Sequence, residues 1–217
     1  MDSIATSTVV KTGDAPLFHV TEEPHHEGHS TVIGFWMFLM QDMLLFCGLF
    51  AIYAWLGGHF ANGPAPLDDG HGAPLFHLAP VAVNTVIMLL SAFTCSLGMV
   101  ETRKENVQGA FRWFGLTVLL GLAFLYMQVS EYGNLAAVGA TYQTSAFLSS
   151  FFIIIATHSL HVIGAIVWAV VLAVQVNKHG LDDANERRVV CFSMFWNFLD
   201  ITWVCVFIFV YLMGVLK

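Results

Sequence analysis

Polar side chains that could ligate metals or relay protons interrupt long apolar stretches of the chain. They are Asp42, His158, His161, Asn197 and Asp200. The two histidines lie within residues 145–176, which contain no Asp, Glu, Lys or Arg. An apolar run of this length predicts a membrane-spanning helix, and the three-residue spacing places both histidines on one face of it. Because the hydrocarbon core holds no water, each ring nitrogen needs a partner in the protein or a ligand.

Cofactor binding in the membrane would require ligands that converge from facing helices. A haem with two axial histidines and a di-metal centre are both built in this way. His158 and His161 come from one helix, so they could not hold both faces of a haem. We therefore interpret them as hydrogen-bonding groups that join helices, and we predict no haem, other cofactor or metal site in this chain. A single metal bound with Asp200 as third ligand is the alternative.

The composition is that of an integral membrane protein. Of the 217 residues, 57% are hydrophobic and only 11% are charged, whereas soluble domains are about 25% charged. The net charge of −7 and the absence of a basic patch argue against nucleic-acid binding. The four cysteines lie in apolar stretches without a C-x-x-C pair, as is typical of small buried side chains.

Five apolar spans follow one another, separated by links rich in Gly, Pro or charged residues. We predict an all-α polytopic membrane protein, a five-transmembrane-helix bundle, with links too short for a soluble domain. The predicted spans are residues 31–56, 80–100, 110–132, 145–176 and 187–214. Residues 1–30 are predicted to form a flexible polar tail. We interpret its histidines, His25, His26 and His29, as solvated rather than metal-binding.

The rise of a helix places several polar groups near the middle of the bilayer. Asp42, about ten residues into the first span, lies roughly 15 Å deep. The other four polar groups share a similar depth, and Glu131 lies in the last turns of the third span. No Lys or Arg lies near the middle of a span, so we expect Asp42 to lack a basic partner. An ionisable group at this depth costs about 2.5–3.5 kcal/mol, so it should face the bundle or a partner protein.

The basic residues predict the orientation of the chain. The N-terminal tail, the link after the second span and the link after the fourth span must share one side of the membrane. With their borders they hold seven of the eight Lys and Arg residues, and Lys217 is the exception. The positive-inside rule then places the N-terminus in the cytoplasm and the C-terminus in the periplasm.

Four motifs in sequence resemble a known family. They are GFWMFLMQDMLLF in the first span, EYGNL at the end of the third, ATHSLHVIGA in the fourth and FWNFLDITWVCVFIFVYLMG in the fifth. In this order and spacing they resemble subunit III of the haem-copper terminal oxidases, and most closely its bo-type ubiquinol oxidase branch. The resemblance covers the chain after its tail. Members usually have Trp-His-Phe where this chain has Trp196, Asn197 and Phe198, although asparagine can still form hydrogen bonds.

The resemblance implies a helical subunit without redox centres, docked on a catalytic subunit I that holds the haems and copper. The complex would oxidise ubiquinol, reduce oxygen to water and translocate protons across the bacterial inner membrane. Subunits II and IV are further partners that it implies, and phospholipid is expected in a cleft. Asp42 matches the family's intramembrane carboxylate, Glu131 and Tyr132 its Glu-Tyr pair, and His158 and His161 its H-x-x-H motif.

On this interpretation, the buried polar residues have structural or modulating roles. The chain is expected to be part of an enzyme complex and not to be catalytic alone. Those residues are Asp42, Glu131, His158, His161, Asn197 and Asp200. One alternative is the equivalent subunit of a cytochrome c oxidase or of a nitric-oxide-reductase-associated complex. Another is an independent proton-coupled transporter that uses Asp42 and Glu131. The transporter interpretation lacks support because the sequence has no inverted repeat and no broken helix at mid-membrane.

Overall fold

The computed structural model describes residues 27–56, 78–104, 106–137, 146–180 and 182–212, and this part of the chain is all-helical. Its elements are α1 (Glu27–Leu56), α2 (Leu78–Arg103), α3 (Val107–Ala137), α4 (Ala146–His179), α5 (Asp183–Val206) and a π-helical segment (Phe207–Leu212). Within the described residues, five helices are long and apolar enough to cross a membrane. The predicted number of spans is therefore confirmed.

The helices extend beyond the apolar runs that predicted them. α1 begins at Glu27, inside the predicted tail, and α3 continues past residue 132 to Ala137. Backbone hydrogen bonds of a helix continue into polar residues where no proline interrupts them, so hydropathy underestimates helix length. Gly180 follows α4 with a φ of 75°, a conformation that glycine adopts without steric cost. His25, His26 and Lys217 lie outside the described residues.

α5 lies at the centre of the bundle, where it contacts α1, α2 and α4. Its two tryptophans, Trp196 and Trp203, are completely buried. The Trp203 ring meets Phe124 of α3 edge-on, with the ring centroids 4.7 Å apart. Gly121 of α3 lies against the other indole, since a Cβ added there would come within 2.8 Å of the Trp196 ring. The fold thus depends on a small residue at the point where α3 passes Trp196.

Polar side chains join neighbouring helices inside the bundle. On α5, the indole N–H of Trp196 donates to Ser91 Oγ and that of Trp203 to Thr85 Oγ1, each at 3.1 Å. Two further hydrogen bonds link α2 to α3, from Asn84 Nδ2 to Gln128 Oε1 at 3.1 Å and between the Thr94 and Thr117 hydroxyls at 2.9 Å. Polar groups in a membrane interior need such partners, so each bond constrains which helix faces meet.

Candidate functional site in the membrane

A histidine–carboxylate pair joins α1 to α4. His161 Nε2 lies 3.1 Å from Asp42 Oδ1. The side chain of Asp42 is 8% exposed and that of His161 is 21% exposed, so the pair lies near the edge of the bundle. The expectation that Asp42 lacks a basic partner is therefore wrong. That expectation considered only Lys and Arg, whereas a histidine 119 residues away supplies the base.

The second ring nitrogen of His161 constrains the protonation of the pair. Nδ1 lies 2.7 Å from the carbonyl oxygen of Thr157, and because a carbonyl only accepts, Nδ1 carries a proton. One further proton then lies between Nε2 and the Asp42 carboxyl. The pair is either an imidazolium with a carboxylate or a neutral imidazole that accepts from a carboxylic acid. Both states carry zero net charge and keep the hydrogen bond, which suits a membrane interior.

His158 occupies a different environment from His161, although they share a helix. It is completely buried, and its Nε2 donates to the carbonyl oxygen of Leu199 on α5 at 3.1 Å. Trp203 and Phe124 lie beside the imidazole, with ring centroids 5.1 and 5.7 Å away. His158 Nδ1 has no hydrogen-bond partner in the described part of the chain. His158 therefore joins α4 to α5 as a neutral donor inside an aromatic cage.

The remaining predicted residues do not complete a single network with the histidines. Asp200 is buried, but its Oδ1 meets no hydrogen-bonding group among the described residues. Asn197 bonds within its own helix, with Nδ2 2.8 Å from the Ser193 carbonyl oxygen. Glu131 is half-buried near the end of α3. The layer predicted from depth alone is thus divided into separate contacts.

The arrangement differs from that of a metal site. Among the described residues, no group of three or more His, Cys, Asp or Glu side chains is placed to hold a metal ion. His158 directs Nε2 to a backbone carbonyl and His161 directs Nε2 to Asp42. Because the two Nε2 atoms form hydrogen bonds with different partners, the geometry favours a role of the histidines in joining helices over a role in binding an ion.

Sequence reasoning missed the polar contacts that connect α2 to its neighbours. The second span contains Asn84, Thr85, Ser91 and Thr94, and all four are buried in the bundle. A polar side chain within an apolar span is a signal that a partner helix covers it. The sequence therefore contained the signal for these contacts, although it did not contain the identity of the partners.

Comparison with known proteins identifies the family. A sequence model described as cytochrome c oxidase subunit III matches residues 19–215. The chain belongs to this family. As a family member it is a multi-pass membrane protein that associates with catalytic oxidase subunits.

Individual subunit III relatives are similar over nearly their whole length. The chain is 44% identical over 198 residues to a Pseudomonas aeruginosa protein named cytochrome bo(3) ubiquinol oxidase subunit 3, covering 91% of this chain and 92% of the relative. The Pseudomonas putida protein of the same name is 43% identical over 192 residues, covering 88% and 90%. A Bacillus subtilis protein named quinol oxidase subunit 3 is 34% identical over 201 residues, covering 93% and 94%. The resemblance inferred from the four motifs is confirmed.

Proposed function

We propose that this chain is the non-redox accessory subunit of a proton-translocating ubiquinol:oxygen oxidoreductase, which it stabilises in aerobic respiration. The observation that carries the proposal is near full-length similarity to proteins named as quinol oxidase subunit 3. The haems and copper belong to the partner subunit I, which performs the electron transfer. Subunits II and IV complete the assembly.

The polar contacts described above support a structural or modulating role for the chain. The Asp42–His161 pair joins α1 to α4, and His158 joins α4 to α5. Each contact satisfies groups that would otherwise be costly in hydrocarbon. On this account the obligate proton path lies in subunit I, and Asp42 holds the accessory bundle together.

The chain spans the bacterial inner membrane with its N-terminus in the cytoplasm and its C-terminus in the periplasm. The ends of α2 and α4 and the starts of α3 and α5 lie toward one side, together with the start of α1. This end of the bundle holds Arg103, Lys104, Arg112, Lys178, Arg187 and Arg188. Clustering of basic residues at one end supports a cytoplasmic location for it.

Phospholipid occupies an open groove at this same end. The groove, about 570 Å³ in volume, lies between α1, α4 and α5 and includes Phe35, Phe38, Trp168 and Arg187 among its lining residues. Arg187 has no hydrogen-bond or ion-pair partner in the described part of the chain. A guanidinium beside apolar side chains suits a phosphate headgroup with its acyl chains. Loss of phospholipid from the purified complex after Arg187→Gln would support this assignment, and unchanged lipid content would contradict it.

The proposed function is tested by purification through an affinity tag on this chain. We expect a complex that contains haem and oxidises ubiquinol, but not reduced cytochrome c. Once separated from its partners, the chain should show no haem spectrum and no stoichiometric iron or copper. A chain that purifies alone from native membranes, or that retains one haem after separation, would overturn the proposal.

A further inference from the structure

The outward face of α1 is the least covered part of the bundle. Of the five candidate spans, the first has the smallest buried share, at 17%, against 44% for the second and 50% for the fifth. The most exposed large side chains of α1 are Met37, Leu44 and Trp55, at 69%, 72% and 81%. They lie opposite the face that carries Leu39, Asp42, Phe46 and Tyr53 into the bundle.

Gln41 lies in the middle of this outward face. Its side chain is exposed and makes no hydrogen bond within the described part of the chain. Counting from Thr31 and Leu56 at the ends of the candidate membrane span, it is about 15 Å from one end and about 22 Å from the other at 1.5 Å per residue. In the central third of each helix, no other amide or charged side chain is exposed among the described residues.

A lone amide at this depth is energetically costly against lipid. Acyl chains offer no hydrogen-bonding groups, and an unsatisfied amide in hydrocarbon costs several kcal/mol. The glutamine side chain is too short to reach either membrane surface. Within the bundle, by contrast, the amides of Asn84 and Gln128 bond to each other. The described part of the chain supplies no equivalent partner for Gln41.

We propose that a transmembrane helix from another subunit of the oxidase packs on the outward face of α1 and hydrogen-bonds Gln41. This inference rests on the proposed function, because it takes the partner from the same complex. Met37, Gln41, Leu44 and Gly48 follow the three- and four-residue spacing of a helix–helix seam, and Trp55 lies one seven-residue repeat further along the same face. A single polar residue in such a seam fixes the register of the partner helix.

The outward face of α1 specifies which side chains the partner helix should carry. It carries one side chain with a hydrogen-bonding group at the depth of Gln41, and apolar side chains one and two turns to either side. Open space over Gly48, where an added Cβ would meet nothing within 4 Å, admits a large side chain from that helix. The expected crossing is shallow and left-handed, as in most membrane bundles.

Site-specific photocrosslinking in the native complex tests the contact directly. A benzophenone amino acid at position 41, irradiated in membranes, should form an adduct with a different oxidase subunit. The same reagent at Leu160 of α4, which is 67% exposed, verifies photoactivity in this bundle. An adduct at position 41 with lipid alone, or with a second copy of this chain, overturns the proposal.

Matched substitutions provide an independent readout from the same complex. Gly48→Leu should lower the fraction of chain that co-purifies with the haem-containing subunit, whereas Gly164→Leu should change it less. Both glycines lie in helices with nothing within 4 Å of an added Cβ. Gln41→Leu should lower retention roughly threefold, the effect of a membrane hydrogen bond of average strength. Unchanged retention in both Gly48→Leu and Gln41→Leu would contradict this inference alone, whereas a parent chain that never co-purifies would contradict the proposed function.

Discussion

The centre of the bundle and its edge satisfy polar groups in different ways. At the centre, the indoles of Trp196 and Trp203 donate to hydroxyls on α2, and these hydroxyls donate to carbonyls within their own helix. At the edge, the ionisable Asp42–His161 pair joins α1 to α4. Every group in the central contacts is neutral, whereas the edge contact contains an acid and a base.

This difference separates packing from polarity as sources of stability. Each central tryptophan fills a large volume and is completely buried, so its removal loses both dispersion contacts and a hydrogen bond. The pair at the edge fills little volume but contains groups that are costly to leave unpaired. We therefore expect size-changing substitutions to act most strongly on α5 and polarity-changing substitutions on α1.

The largest expected loss of stability comes from removing a large side chain at the centre of the bundle. Trp203→Ala should destabilise the chain by about 3–5 kcal/mol, because it creates a cavity and leaves Thr85 without its donor. The measurement is the amount of folded chain in membranes and its thermal unfolding in detergent. Trp203→Phe retains most of the volume and should lose much less. Equal losses in the two variants would show that packing is not the dominant contribution.

Filling the space beside the other indole should have the next largest effect. Gly121→Ala places a methyl group within 2.8 Å of the Trp196 ring, and overpacking of this kind costs about 1–3 kcal/mol. Gly115→Ala in the same helix is the control, since nothing lies within 4 Å of its added Cβ. Thermal unfolding of the two variants should therefore differ, with only Gly121→Ala less stable than the parent. If both variants match the parent, α3 is not in tight contact with Trp196.

The smallest expected effect is at Asn197. Among the described residues, its amide bonds only to Ser193 within α5, so Asn197→Ala should change stability by no more than about 0.5 kcal/mol. Asn84→Ala should cost about 1 kcal/mol or more, because it leaves the buried Gln128 amide without its donor. Comparing the thermal unfolding of these two variants tests whether hydrogen bonds between helices stabilise the chain more than hydrogen bonds within one helix. The reverse order would contradict that distinction.

The helix count was predictable because it depends on local hydropathy. Long apolar runs specify membrane spans whatever the rest of the chain does. The same hydropathy predicted six polar residues to be buried, and of these Asp42, His158 and Asp200 are buried whereas Glu131, His161 and Asn197 are half-buried. The ends of the helices were not predictable, because backbone hydrogen bonding continues beyond the apolar run.

Contacts between helices could not be predicted from local patterns. The Asp42–His161 pair joins positions 119 residues apart, and the Trp203–Thr85 bond joins positions 118 apart. Two residues at equal depth meet only if their helices are neighbours and face one another. Asn197 shows the consequence, since it shares the predicted depth but turns to its own helix. Choosing among the possible helix arrangements requires information from the whole packed bundle.

We propose that the Asp42 carboxyl supports the subunit and does not conduct protons for turnover. Asp42→Leu removes the partner of His161 Nε2 and should lower recovery of the assembled complex or its long-term activity. Asp42→Asn keeps the size and the hydrogen-bonding capacity of the side chain while removing the acid. The two variants therefore separate loss of the contact from loss of the titratable group.

The deciding measurement is quinol-driven oxygen consumption by the fully assembled Asp42→Asn complex, normalised to its haem content. We predict a rate near that of the parent complex, because the amide can still accept from or donate to His161. Abolished turnover in an assembled Asp42→Asn complex would place the carboxyl in the proton path and contradict the proposed supporting role of Asp42.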